Sequence, residues 1–206
     1  MSELEKALKE KFGEHRVKEF ITEDEMYIPL LEITIQTNLT FRVIVTNGMS
    51  DYKMPIPNHL KTVNERVYNE LFICLPEYWD FTDENRKWPI ETLQKLAKNV
   101  IEKETWYGPG HTIANGNPTK PISNLMEQEY FLLADPIYLE EFMKPLQLND
   151  KKIYFLAVIP LLMSEYDLLV YKAYPKWLQK FKSGRGNEII DEYKKTSSLR
   201  RRIFNF

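Results

Sequence analysis

Five consecutive apolar residues, Leu71, Phe72, Ile73, Cys74 and Leu75, stop at Pro76, and no other stretch constrains the fold as tightly. An uninterrupted apolar run of strand length is covered on both faces, so the fold must place structure above and below it. Trp88-Pro89 then opens a helix, with proline at the first turn where its missing N–H is not needed. Leu93, Leu96, Ala97, Val100 and Ile101 recur at three- and four-residue spacing, which lays an apolar stripe along one side. Gly108, Pro109 and Gly110 are read as the end of this element. The remainder of the chain is expected to be arranged around the strand and the helix.

From the amino end, Ser2 and Glu5 match a capping box, and Leu4, Ala7, Leu8 and Phe12 give a first helix ending near Gly13. Val17 to Thr22 reads as a brief strand. Leu30 to Thr37 and Leu39 to Thr46 alternate apolar and polar residues, the mark of strands with one buried and one wet face. Their junction at Thr37-Asn38 suits a tight antiparallel hairpin. Asn47-Gly48 is a turn, and its loop runs past Pro55 and Pro57 to about Leu60. Val63 to Leu75 reads as one long strand, His111 to Ala114 as a short edge strand, and Tyr130 to Ala134 and Ile153 to Ile159 as two more, the last closed by Pro160. Leu161, Leu162, Tyr166, Leu169, Val170 and Ala173 then fit a helix. Pro175 starts another with Trp177, Leu178 and Phe181, and Asn187 to Tyr193 reads as a last one with Ile189 and Ile190 inward. Strands, one helix, more strands and then helices predict an α+β fold. It is a single domain over 1–206 with a central, largely antiparallel (mixed) twisted sheet flanked by helices.

A chain of 206 residues that is 43% hydrophobic can bury roughly 70% of its unfolded surface, enough for a core without covalent staples. The single cysteine, Cys74, excludes an internal disulfide and fits a reducing compartment. Its apolar neighbours suit an inert thiol, not a nucleophile. No apolar run reaches membrane-spanning length and the charged amino terminus lacks a signal-peptide core, so a cytoplasmic location is expected. A formal charge of -2 gives no bulk attraction to nucleic acid or membrane. Lys194, Lys195, Arg200, Arg201 and Arg202 lack interleaved stacking residues and read as a solvated end, not a nucleic-acid site.

Side chains for chemistry are sparse. His15, His59 and His111 are far apart without spaced partners, so no metal site is expected. Nucleophile elbow, phosphate-cradling loop and dinucleotide fingerprint are missing, and no cofactor is expected. His111, in Gly108-Pro109-Gly110-His111-Thr112, is the most site-like titratable group, able to move protons near neutral pH. The preferred reading is that its ring holds the turn. Asp51, Asp80 and Glu165 are read as solvated or capping carboxylates. Trp79, Trp88 and Trp106 bracket the helix and are read as core ahead of partner anchors.

Thr46-Asn47-Gly48-Met49-Ser50, Glu70 to Pro76, Trp79, Trp88-Pro89-Ile90 with Leu93, Leu96 and Ala97, Gly110 to Ile113, and Val158 to Leu161 with Glu165 together resemble the suppressor-of-fused family. The match is clearest from Thr46 to about Val170. It is similar to the amino-terminal domain of the animal members and to the small bacterial members. The resemblance implies a non-enzymatic protein-binding module. Animal members sequester Gli-type transcription factors, in part by adding a peptide as a strand, with help from a second domain. Bacterial members are viewed as immunity proteins (antitoxins) that neutralise a cognate secreted toxin such as a nuclease. On that basis the partner-facing residues are Asn47, Gly48, Met49, Asp51, Trp79, Trp88, Gly110, His111, Thr112 and Glu165. The same residues serve equally as a structural signature. Two alternatives stand beside the antitoxin: a regulator that masks a partner's peptide by strand addition, and a hydrolase using His111 as general base.

Overall fold

The apolar run lies at the centre of an eight-stranded sheet in the computed structural model, which describes residues 1–21, 25–60 and 65–194. In chain order the strands are β1 (Val17–Phe20), β2 (Leu30–Gln36), β3 (Thr40–Thr46), β4 (Asn69–Pro76), β5 (Thr112–Ala114), β6 (Tyr130–Ala134), β7 (Leu146–Leu148) and β8 (Lys151–Leu161). The helices are α1 (Glu3–Phe12), α2 (Trp88–Glu102), α3 (Met163–Lys172) and α4 (Tyr174–Ser183). Across the sheet the order is β1-β2-β3-β4-β8-β6-β5, with β7 beside the start of β8. Every pairing is antiparallel except that of β4 with β8.

Strand periodicity sorts the core into two layers. Leu71, Ile73 and Leu75 of β4 face one way, toward Leu93, Leu96, Ala97 and Val100 of α2. Phe72 and Cys74 face the other, toward Leu4 and Leu8 of α1, Leu169 of α3 and Trp177 of α4. Leu93, Leu96 and Val100 each contribute about 1.5–3 kcal/mol by leaving water, and Ala97 contributes less. β2 keeps a partly wet face through Glu32 and Thr34, whereas β3 is covered on both faces from Val43 onward because α2 lies over Ile44.

Several boundaries differ from the sequence reading. Residues 61–64, and Thr22 at the end of the first strand, lie outside the described residues, and β4 begins only at Asn69. α2 stops at Glu102, well before Gly108, where Glu104 turns left-handed at φ 47° and the Thr105 N–H reaches back to the Val100 carbonyl. β8 runs through Pro160, which faces Phe131 of β6. Its missing N–H is tolerated because β4 pairs with β8 only as far as Ala157, leaving the other flank unpaired. Val170 points outward, 66% exposed, not into the core.

The expected helix over 187–193 is not formed. Residues 187–190 run beside β4, with Ile189 bridged to Cys74 and the Ile190 N–H donating to the Cys74 carbonyl at 2.9 Å, and 191–194 make a turn. β4 loses its neighbour where β8 diverges, and the stretch fills that wedge, burying Glu188, Ile190 and Glu192 in alternation. The basic tail beyond Lys194 lies outside the described residues.

Candidate functional site

Strand direction separates the residues expected to face a partner into two groups. β3 and β6 finish at one end of the sheet, where β4, β5 and β8 begin, and that end carries Asn47 to Asp51 and Gly110 to Thr112. Trp79, Trp88 and Glu165 follow the far ends of β4 and β8, so they belong to the opposite end. The ten residues do not form one surface.

At the first end the Asn47-Gly48 motif wraps a buried carboxylate. Backbone N–H groups of Gly48, Met49 and Ser50 donate to Glu70 at 3.0, 3.2 and 2.9 Å, and the Thr46 hydroxyl completes the cradle. Burial pushes the Glu70 carboxyl up from its usual range, and these donors pull it part of the way back. Met49 is buried and Asn47 accepts from the Ser2 hydroxyl, so only Asp51, paired with Lys151 at 3.1 Å, reaches outward from this turn. Across the sheet, Gly110 takes φ 92° and its N–H donates to the Leu133 carbonyl at 2.7 Å. The His111 ring meets Trp106 edge-on, with centroids 4.3 Å apart, and burial lowers its pKa. Thr112 is exposed on the edge strand β5.

At the second end Trp79 and Trp88 are core, edge to face at 6.0 Å, so they support the surface from beneath and do not form it. The Trp79 Nε1–H donates to the Arg86 carbonyl, and the Trp79 carbonyl accepts from Arg42. Glu165 is likewise buried. It accepts from the Leu162 N–H at 3.0 Å, starting α3, and pairs with Lys194 at 2.6 Å.

Glu165 does, however, line a groove that the sequence did not reveal. The groove measures about 390 Å³ and lies between α3, α4 and residues 184–194, with Ile159, Leu168, Trp177 and Ile190 on its floor. Ser164 and Leu168 line it from α3, and Tyr171, 85% exposed, lies one turn beyond Leu168 on the same helix face. Tyr193, 71% exposed, forms part of the opposite wall. That wall is anchored twice. Glu188 accepts from the N–H groups of Ile137, Tyr138 and Leu139 at 3.0, 2.8 and 2.8 Å, and Glu192 pairs with Arg86. Among the described residues no group of three His, Cys, Asp or Glu side chains could hold a metal ion, and no helix is long and apolar enough to cross a membrane.

A central, largely antiparallel sheet between helical layers, with buried carboxylates bound into the frame and a groove edged by the exposed Tyr193, defines the class of scaffold. The chain belongs to the suppressor of fused family, whose model, Suppressor of fused protein (SUFU), matches residues 28–192. Solved structures share the fold. A putative SUFU homolog from Neisseria gonorrhoeae superposes with a TM-score of 0.63 at 16% identity, over 93% of each chain. Drosophila Suppressor of Fused gives 0.58 at 11% identity over 89% of this chain, which spans only 46% of that longer protein. A chain of the Sufu-Fu complex gives 0.63 at 11% identity, over 97% of this chain and 92% of the other. No curated protein sequence matches significantly.

Proposed function

We propose that the protein is a non-catalytic binding module that neutralises a protein partner in the cytoplasm, and that the partner is a cognate toxin. The observation that carries the binding role is the groove, with Tyr193 exposed on one wall and that wall pinned by Arg86 and Glu192. Exposed apolar side chains around a preformed concavity mark an interaction site, and rigid aromatic residues contribute contact area at small entropic cost. Membership in a family with a member solved as a Sufu-Fu complex supports the same role. The toxin follows from the resemblance to small bacterial members, to which the similarity with the Neisseria structure adds.

Strand addition is the second reading. The outer strands β1 and β5 have only 4 and 3 residues, a poor template for an incoming strand compared with the groove. A hydrolase acting through His111 is less well supported, because that ring is half-buried, packed on Trp106 and held toward its neutral form by burial alone. Co-expression with a candidate toxin from a neighbouring gene tests the main reading. Growth should be rescued and a stoichiometric complex recovered, and rescue should persist in His111→Ala. Failure to rescue and to form a complex with any adjacent candidate overturns it.

A further inference from the structure

The groove's charges do not balance. Lys180, Arg185 and Lys194 line it against Glu165 and Asp191; Glu165 is paired with Lys194 at 2.6 Å, and Asp191 keeps its charge while accepting from the Tyr193 N–H at 3.0 Å. Lys180 and Arg185, also in the lining, form no ion pair among the described residues. α4 contains no acidic residue to offset Lys180. A positive rim on a chain whose formal charge is -2 is therefore a local arrangement, and it attracts carboxylates. The floor beneath is apolar, and about 390 Å³ holds one or two side chains with their backbone, not a folded element. At its edge lies Gln128, almost wholly buried. Its amide N–H donates to the Asp191 carbonyl at 3.3 Å, which leaves Oε1 without a donor.

We propose that this groove takes a short acidic peptide segment of the protein partner, with one apolar side chain on the Ile159–Trp177 floor and flanking carboxylates on Lys180 and Arg185. The proposal rests on the partner-binding reading above and adds the chemistry of what binds. Phosphates would meet the same cations, but the apolar floor favours a side-chain anchor over a sugar-phosphate backbone.

The test is selection of a random-peptide phage library on the full chain, followed by calorimetry of selected peptides against wild type and the Lys180→Glu/Arg185→Glu double variant. Both positions are at the surface, so the variant should melt like wild type. Selected peptides should carry Asp or Glu beside Leu, Phe or Trp, and the double variant should bind them about tenfold or more weakly. Enrichment of Lys and Arg, equal affinity for both proteins, no enrichment, or stronger binding of a single-stranded oligonucleotide than of any peptide would overturn the proposal. If the natural partner binds the double variant as tightly as wild type, the groove assignment fails and the partner-binding reading stands. If it binds neither protein, both fail.

Discussion

Arg86 and Glu192, 106 positions apart, form a two-pronged ion pair, Nε to Oε2 at 3.1 Å and Nη2 to Oε1 at 2.8 Å. Arg86 lies in the turn before α2, and Glu192 lies in the stretch that walls the groove. The Arg86 carbonyl also holds the Trp79 indole. One residue thus ties the groove wall to the core layer on the α2 side of the sheet.

Because the Glu192 side chain is almost fully buried, removing Arg86 leaves a carboxylate without its partner, and removing Glu192 loses the two bonds that hold the wall. Glu192→Ala is expected to cost about 2–3 kcal/mol. In a double-mutant cycle with Arg86→Ala, chemical denaturation should give a coupling of about 1–3 kcal/mol. Additive effects would mean that the pair does not anchor the wall.

Glu70→Gln tests the cradle after β3. The amide presents one acceptor and one donor group to three N–H groups and a hydroxyl that all approach the native carboxylate. At least one buried donor is left unmet, at a cost of about 1–3 kcal/mol in urea denaturation. Unchanged stability would contradict the idea that the Asn47-Gly48 motif exists to hold Glu70.

These two carboxylates show where the sequence is legible and where it is not. The apolar run at Leu71–Leu75 and the stripe on α2 announce the sheet and its covering helix, because hydrophobic period reports burial directly. Glu188, Ile190 and Glu192 are buried in alternation, yet two of the three are glutamates, so the stretch reads as a short helix with Ile189 and Ile190 inward. Their burial depends on donors from residues 137–139 and from Arg86, partners that no local pattern encodes. The groove was hidden for the same reason, because that stretch forms one of its walls against α3 and α4. Tryptophan and Asn-Gly signals did identify fixed points of the fold, but these support the surface more than they form it.

Gly110→Ala should destabilise the turn before β5. At φ 92° an L side chain is strained, and its Cβ would sit 3.0 Å from the Tyr174 side chain. A loss of about 1–3 kcal/mol is expected by thermal melting. Gly184→Ala, at φ -80° with no contact under 3.4 Å, should be nearly neutral.

His111 gives a signed pH dependence. Burial lowers its folded-state pKa below the ordinary 6.5. As pH falls through that value the unfolded chain takes up a proton that the folded chain resists, so stability is lost toward acid until the folded-state pKa is passed. His111→Gln removes this titration. The melting temperature of the variant relative to wild type should therefore rise between about pH 7.5 and pH 5.5. A constant difference would place the ring in water.

Cys74 offers a probe of opening. Burial pushes its thiol well above the ordinary range, so alkylation of the folded protein should be limited by exposure of β4. Its labelling rate should rise with urea in step with global unfolding. Fast labelling in native buffer would contradict the position of β4 at the sheet centre.

The most direct test of the binding account is calorimetric titration of the purified full chain with a candidate toxin domain from a neighbouring gene, with toxin activity read in parallel. Saturation at one partner per chain, with toxin activity lost at the same point and affinity reduced by Lys180→Glu/Arg185→Glu, is the predicted result. No heat of binding, or catalytic conversion of the toxin or its substrate by this chain that disappears in His111→Ala, would contradict it.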